Sequence, residues 1–255
     1  MIAYLKHSDR VTVILKGTAY TIMETHPKYQ KVVDALETEG ITESKLLKLI
    51  STSTCINIYG KGRFKIVDNH LEDNKGNILH GSLVERILKL QADGKPVKYL
   101  CRFLDNLYQN PARHTIDELY LFLERNDLPI TDDGCFVAYK GVDKDYFDHH
   151  SHTYENKVGA VMEMLRQDVD DNRENTCSVG FHVGRFDYAD DFKGAEGHLM
   201  ICKVNPKDVV SVPPDYDNSK LRTCRYEVIG EATDEPDRDV LKSLTVYDQP
   251  TMLRR

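Results

Sequence analysis

The chain has no tryptophan, no CxxC pair, and no apolar run approaching the roughly 20 residues of a membrane span. Each absence removes a class of protein. Without a span, any membrane contact is expected to be peripheral. The opening residues MIAYLKHSDRVTVILKG hold no continuous apolar h-region and no small-residue cleavage site, so a secretory leader is not expected. Six cysteines (Cys55, Cys101, Cys135, Cys177, Cys202 and Cys224) lie far apart, which fits reduced, packed thiols rather than a disulfide framework or a zinc ribbon. There is no HExxH pair and no GxxxxGK[ST] loop, and Gly60-Lys61-Gly62-Arg63 is too short to cradle a phosphate and reads as a hairpin turn. Internal repeats and low-complexity segments are also missing. The expected setting is cytosol.

What is present is enough for a folded core. At 255 residues, 40% of them hydrophobic and including 14 Tyr and 8 Phe, the chain suits two modest domains better than one. Its net charge of -7 is unevenly placed: 11 acidic residues face five basic ones between Thr131 and Asn175. Such a surface repels phosphate backbones, and no basic stripe interleaved with aromatics compensates, so no nucleic-acid partner is expected.

Periodicity divides the chain. Arg10 to Met23 reads as a β-hairpin, with Val11, Val13 and Leu15 alternating before Lys16-Gly17 and Tyr20 and Ile22 after it. A helix is expected from Pro27 to about Glu39, ending at Gly40, and a shorter one over Thr42 to Ile50. Cys55 to Leu79 reads as a small meander with turns at Asp68-Asn69 and Asn74-Lys75-Gly76-Asn77. Ser82-Leu83-Val84-Glu85 and Thr115-Ile116-Asp117-Glu118 have capping-box spacing. Apolar residues recur at helical spacing after the first box, through Leu100, Phe103, Leu104 and Leu107, and after the second, so three amphipathic helices are expected to form a central layer. Beyond Asn126, strands are expected at Cys135 to Tyr139, His198 to Val204, Val209 to Val212 and Arg222 to Ile229. The fold class is α+β: an N-terminal hairpin plus helical domain over residues 1–130, a C-terminal β-rich domain over 131–231, and a polar tail over 232–255 that docks, if at all, through Leu241 and Leu244.

Ordered motifs carry a family resemblance. They are Leu83-Val84-Glu85-Arg86-Ile87-Leu88, Phe103-Leu104-Asp105-Asn106-Leu107, and Ile130-Thr131-Asp132-Asp133-Gly134 with Phe136, Tyr139 and Lys140. They continue with Tyr146-Phe147-Asp148, His150-Ser151, Thr176-Cys177-Ser178, Gly180, and His182-Val183. The last are Asp208-Val209-Val210-Ser211, Arg222-Thr223-Cys224 and Tyr226-Glu227-Val228. Over roughly residues 10 to 231 the chain resembles the RIIB rapid-lysis proteins of T-even-type tailed phages. The resemblance implies an early phage protein in the host cytoplasm, peripheral at the inner membrane, working with a RIIA-like companion in lysis timing and in protection against host exclusion systems. A host defence component is a further implied contact, and self-association is left open. Some members carry an additional N-terminal helix-turn-helix-like segment; no such segment is read here, so its DNA-binding role is not expected of this chain.

Candidate chemistry clusters after residue 131. Asp148-His149-His150-Ser151-His152, with Asp168, Asp170-Asp171 and His182, has the residue types of a zinc, iron or manganese site. No ligand-like spacing supports one, and His149 and His152 have no counterpart in the family pattern, so an exposed polar loop without metal is expected. Cys177 and His182 have the types of a thiolate–imidazole pair, against a packed thiol beside a turn at Gly180. Tyr139-Lys140, Gly180-Phe181-His182 and Tyr226-Glu227 are spaced like the nucleotide-handling pieces of an ADP-ribosyltransferase, with Glu227 orienting a ribose hydroxyl. The catalytic candidates are thus His150, Cys177, His182, Tyr226 and Glu227, and the ligand-binding candidates Tyr139 and Lys140. Tyr99, Tyr108, Tyr120 and the basic spot Lys220-Leu221-Arg222 with Arg225 are candidate partner contacts. The leading expectation is a non-enzymatic interaction protein without cofactor, and the alternative is an enzyme or nucleotide-binding protein with its site in residues 131–231. The charge argument has a direct check: the purified chain is expected to leave duplex DNA unshifted in a low-salt mobility assay, and retardation there would refute it.

Overall fold

Residues 2–24, 26, 28–38, 40–50, 63–67, 70–76, 78–79, 82–92, 97–126, 128–214, 218–232 and 246–247 are described by the computed structural model of this chain, which divides into two units, Met1–Asp105 and Asn106–Arg255. The expected turns at residues 60–62 and at Asp68-Asn69, and the docking residues Leu241 and Leu244, lie outside the described residues.

The first unit opens on an antiparallel sheet of β1 (Tyr4–Lys6), β2 (Arg10–Leu15) and β3 (Thr18–Met23). Lys16 and Gly17 join β2 to β3 with both φ angles positive, 50° and 80°, the mirror-image turn whose twist suits paired strands. Val11, Val13 and Leu15 point to one face and are fully buried. They pack with Ile22 against Val32 and Val33 of α1 (Tyr29–Glu37) and Leu46 and Ile50 of α2 (Glu43–Ile50). Each such side chain contributes roughly 1.5–3 kcal/mol on burial. Strand β1 has no signal in the sequence, because all three of its residues are exposed and leave no alternation.

A second small sheet follows: β4 (Phe64–Val67), β5 (His70–Asp73) and β6 (Ile78–Leu79), all antiparallel. The expected turn at Asn74-Lys75-Gly76 forms, with the Lys75 amide donating to Asp73 Oδ1 at 2.8 Å and Gly76 at φ 83°. Helices α3 (Ser82–Ala92) and α4 (Lys98–Leu107) complete this part of the chain. Tyr99, proposed as a surface contact, is 4% exposed on the packed face of α4.

The third expected helix is α5 (Arg113–Arg125), and two features differ from expectation. Thr115 does not cap it: the helix begins two residues earlier, and the buried Thr115 hydroxyl donates instead to the Val210 carbonyl at 2.9 Å. That bond ties α5 into the second unit, although it precedes residue 131. Asn110 adds two more ties, donating to the carbonyls of Pro206 and Val209 at 2.8 and 2.7 Å, and Asn126 another, to Asn218 at 2.8 Å. Tyr120 is buried as well, and Tyr108 half-buried.

The second unit is built on an antiparallel sheet. Its strands are β7 (Ile130–Thr131), β8 (Phe136–Val142), β9 (Val161–Glu163), β10 (Phe181–Gly184), β11 (His198–Val204), β12 (Val209–Ser211), β13 (Lys220–Thr223), β14 (Arg225–Ala232) and β15 (Val246–Tyr247). The order is β12-β13-β10-β8-β11-β14-β9, with β7 joining β8 to β15. Strands β8 and β11 are buried almost throughout, which is why their sequences run apolar without alternating.

The expected single strand Arg222 to Ile229 is two strands. Cys224 interrupts it, its amide donating to Asp208 O and its carbonyl accepting from the Met164 amide, both at 3.0 Å. Consecutive in the chain, β13 and β14 nevertheless lie on opposite sides of the β10-β8-β11 trio, so the sheet curls. The rings of Phe181 on β10 and Tyr226 on β14 meet edge to face across the curl, centroids 5.3 Å apart.

Helix α6 (Phe186–Lys193) lies against β8 at Gly141. A Cβ there would fall 2.4 Å from the Ala189 carbonyl oxygen and 2.5 Å from the Lys193 amide nitrogen. Gly141→Ala is therefore expected to lower the unfolding free energy by roughly 1–3 kcal/mol in a denaturant titration; an unchanged midpoint would contradict this close approach.

Candidate functional site

Strands β8 and β10 meet where Tyr139 pairs with Gly184, and β13 completes the floor by pairing His182 with Arg222 and Gly184 with Lys220. Above this floor stands α6, and at its sides run the loops around residues 148–154 and 177–180. Together they enclose a cavity of about 780 Å³. Tyr139, Lys140, His150, Cys177 and His182 all line it. Five candidates scattered over more than 40 positions are thus brought together, Tyr139, Lys140 and His182 by strand pairing and His150 and Cys177 by the flanking loops.

Tyr226 and Glu227 are not among the lining residues. Tyr226 is 1% exposed and its hydroxyl donates to Asn156 Oδ1; burial, and after it the neighbouring Cys202, Asp148 and Tyr154, raise the phenol well above its ordinary range. Glu227 pairs with Lys203 at 3.3 Å across β11 and β14. The ADP-ribosyltransferase-like set is therefore split, its acidic member lying outside the cavity.

The histidine-rich loop is organised by its first residue. Asp148 accepts from the amides of Ser151 (2.7 Å), Thr153 (3.1 Å) and Tyr154 (2.9 Å) and from the Ser151 hydroxyl. Burial alone raises this carboxyl, but the four donors overcome it and hold the group at about 2. The loop folds so that the rings of His149 and His150 lie 5.3 and 5.8 Å from Phe192 of α6. His152 turns away at φ 48° and pairs with Asp143 at 3.0 Å. Among the described residues, no group of three or more His, Cys, Asp or Glu is arranged to hold a metal ion.

Of the charges at the floor, Lys220 and Arg222 are buried and Lys140 is half-buried. Lys140 Nζ donates to the His182 carbonyl at 3.3 Å, and desolvation lowers its pKa below the usual lysine value. Desolvation, then the nearby Lys140, Lys220, Arg222 and His150, push His182 down to about 3, so its ring is neutral at physiological pH. Its Nε2 is buried without a hydrogen-bond partner. Lys220 and Arg222 have the residue types of a surface spot, yet they are 2% and 0% exposed; only Arg225 of that spot is exposed. A Lys or Arg reads as surface by default because burial becomes tolerable only when partners arrive from distant segments.

Of the described cysteines, Cys177 is exposed, whereas Cys101, Cys135, Cys202 and Cys224 are buried. Burial pushes the Cys135 and Cys202 thiols up to about 12. Residues missed from the sequence include Tyr188 and Phe192, whose i, i+4 spacing would have placed two rings on one face had helix α6 been recognised. Among the described residues no helix is long and apolar enough to cross a membrane.

Comparison with known proteins bears on the whole chain. A family model described as "Bacteriophage T4 protein rIIB" matches residues 4–243. Protein rIIB of Enterobacteria phage T4 is 34% identical over 226 residues, covering 88% of this chain and 72% of that protein. No solved structure matches the chain.

The buried ring of His182 generates a pH dependence. Between its ordinary value of 6.5 and about 3, the unfolded chain takes up a proton that the folded chain refuses, so stability falls as pH drops through that window. His182→Gln is expected to flatten this slope in chemical denaturation at stepped pH, and an identical slope would show that another group sets it.

Proposed function

The chain belongs to the rIIB family of bacteriophage proteins, and we propose that it acts with a RIIA-like companion in lysis timing and in protecting infection against host exclusion. In this reading it works by contact rather than catalysis, in the host cytoplasm and peripherally at the inner membrane. The observation that supports it is the family match, which extends through both units rather than over one short motif.

A second reading, ligand chemistry in the second unit, is favoured by one observation, the convergence of Tyr139, Lys140, His150, Cys177 and His182 on a single cavity. The two separate by substitution. A phage lacking this gene is complemented with wild type, His182→Ala inside the cavity, or Glu227→Gln outside it, and plated on an excluding host. Contact-based function predicts that both variants capture the companion and restore plating to the wild-type level. Loss of protection with His182→Ala while companion capture persists would transfer the function to the cavity.

A further inference from the structure

The cavity over β8, β10 and β13 has two chemically distinct sides. One is aromatic: Tyr188 and Phe192 of α6 lie nearly parallel, centroids 6.1 Å apart, and the rings of His149 and His150 approach Phe192. The other is cationic. Lys140 and Lys220 reach the cavity from the floor, the Lys220 ammonium standing 5.8 Å from the Tyr188 ring, and the Arg222 guanidinium lies behind His182 on the neighbouring strand. An ammonium carries three N–H groups, and the contact to the His182 carbonyl uses one of those of Lys140. His182 lines the same region, with its Nε2 buried and without a hydrogen-bond partner.

Two acids also line the cavity, and they decide orientation. Asp148 stays ionised, but its oxygens are occupied by the N–H and O–H donors of its own loop. Asp191 is exposed on α6, so a negative group is repelled from the helix side and drawn to the floor. The volume of about 780 Å³ lies within the roughly 300–1,000 Å³ of small-molecule sites. A nucleic-acid strand is a poor occupant, because its further phosphates would meet the acidic segment between Thr131 and Asn175.

We propose that this cavity is a binding site for a mononucleotide, its base against the rings of α6 and the His149-His150 loop and its phosphate at the ammonium groups of Lys140 and Lys220. The His182 side chain lines the cavity between the two ends. Nucleotide binding here goes beyond the partner reading and does not depend on it, so the two fail separately.

The test is titration calorimetry of the full chain with AMP, using adenosine and ribose 5-phosphate as half-ligands. One saturable site is expected, with each half-ligand binding more weakly than AMP. Lys140→Met is expected to weaken AMP roughly tenfold or more, as loss of a charge-assisted hydrogen bond does. Phe192→Ala, at a position 40% exposed and so tolerant of truncation, is expected to weaken it about fivefold or more through lost stacking. No saturable heat with AMP overturns the proposal. So does wild-type affinity in both variants, which would put the site elsewhere, and so does adenosine binding as tightly as AMP, which would remove the phosphate from the floor. If thermal melts show Lys140→Met unfolded, Phe192→Ala and His182→Gln carry the same comparison.

Discussion

A buried guanidinium holds the second unit together. Arg222 on β13 is 0% exposed, a placement that costs several kcal/mol unless its hydrogen-bonding capacity is met. It donates to the carbonyls of Asn175 and Asn172 at 2.5 Å and to the Ser211 hydroxyl at 3.0 Å. Those contacts bind the irregular segment 170–178 to the sheet. Asp170, in the same segment, accepts from the Asn172 amide and the Asn175 side chain and is held at about 2, with its Ser178 contact the largest cause. The segment that carries Cys177 to the cavity is thus fixed by polar contacts where apolar packing is sparse.

The same residue shapes the chemistry next door. Arg222 and His182 are cross-strand partners, and the guanidinium helps drive the proton from the imidazole. A second polar anchor acts on the opposite wall. Asn156, fully buried, accepts from the Tyr226 hydroxyl and donates to the Tyr154 carbonyl at 2.7 Å, setting the end of the 148–154 loop against β14. Tyr226 therefore matters to the site without entering it, because it holds a loop whose histidines do line the cavity. Tyr154 passes this packing on, its ring meeting Phe181 edge to face at 4.8 Å.

These interactions join the family assignment to the candidate site. The family match runs along the chain, and several of the motifs that carry the resemblance converge on the cavity: Tyr139-Lys140, His150-Ser151, Thr176-Cys177-Ser178 and His182 line it or flank it, and Arg222 supports it. Other motif residues do structural work at a distance. Asp208, for example, accepts from the Cys224 amide and the Thr223 hydroxyl, fixing the break between β13 and β14.

Much of the fold was legible because its signals are local. The hairpin at Lys16-Gly17, the buried alternation of Val11, Val13 and Leu15, and the apolar runs of β8 and β11 each follow from a few neighbouring residues. Signals failed where the determining partner was remote. Thr115 has capping spacing but bonds to Val210; Arg222 to Ile229 reads as one strand but is broken by contacts of Cys224 with Asp208 and Met164. By itself, then, the sequence determined the α+β class, the family, and the residue types on which a site could draw. Only the tertiary structure decided that Lys140, His150, Cys177 and His182 share a cavity while Glu227 does not, because strand order and the burial of charge depend on partners far apart in the chain.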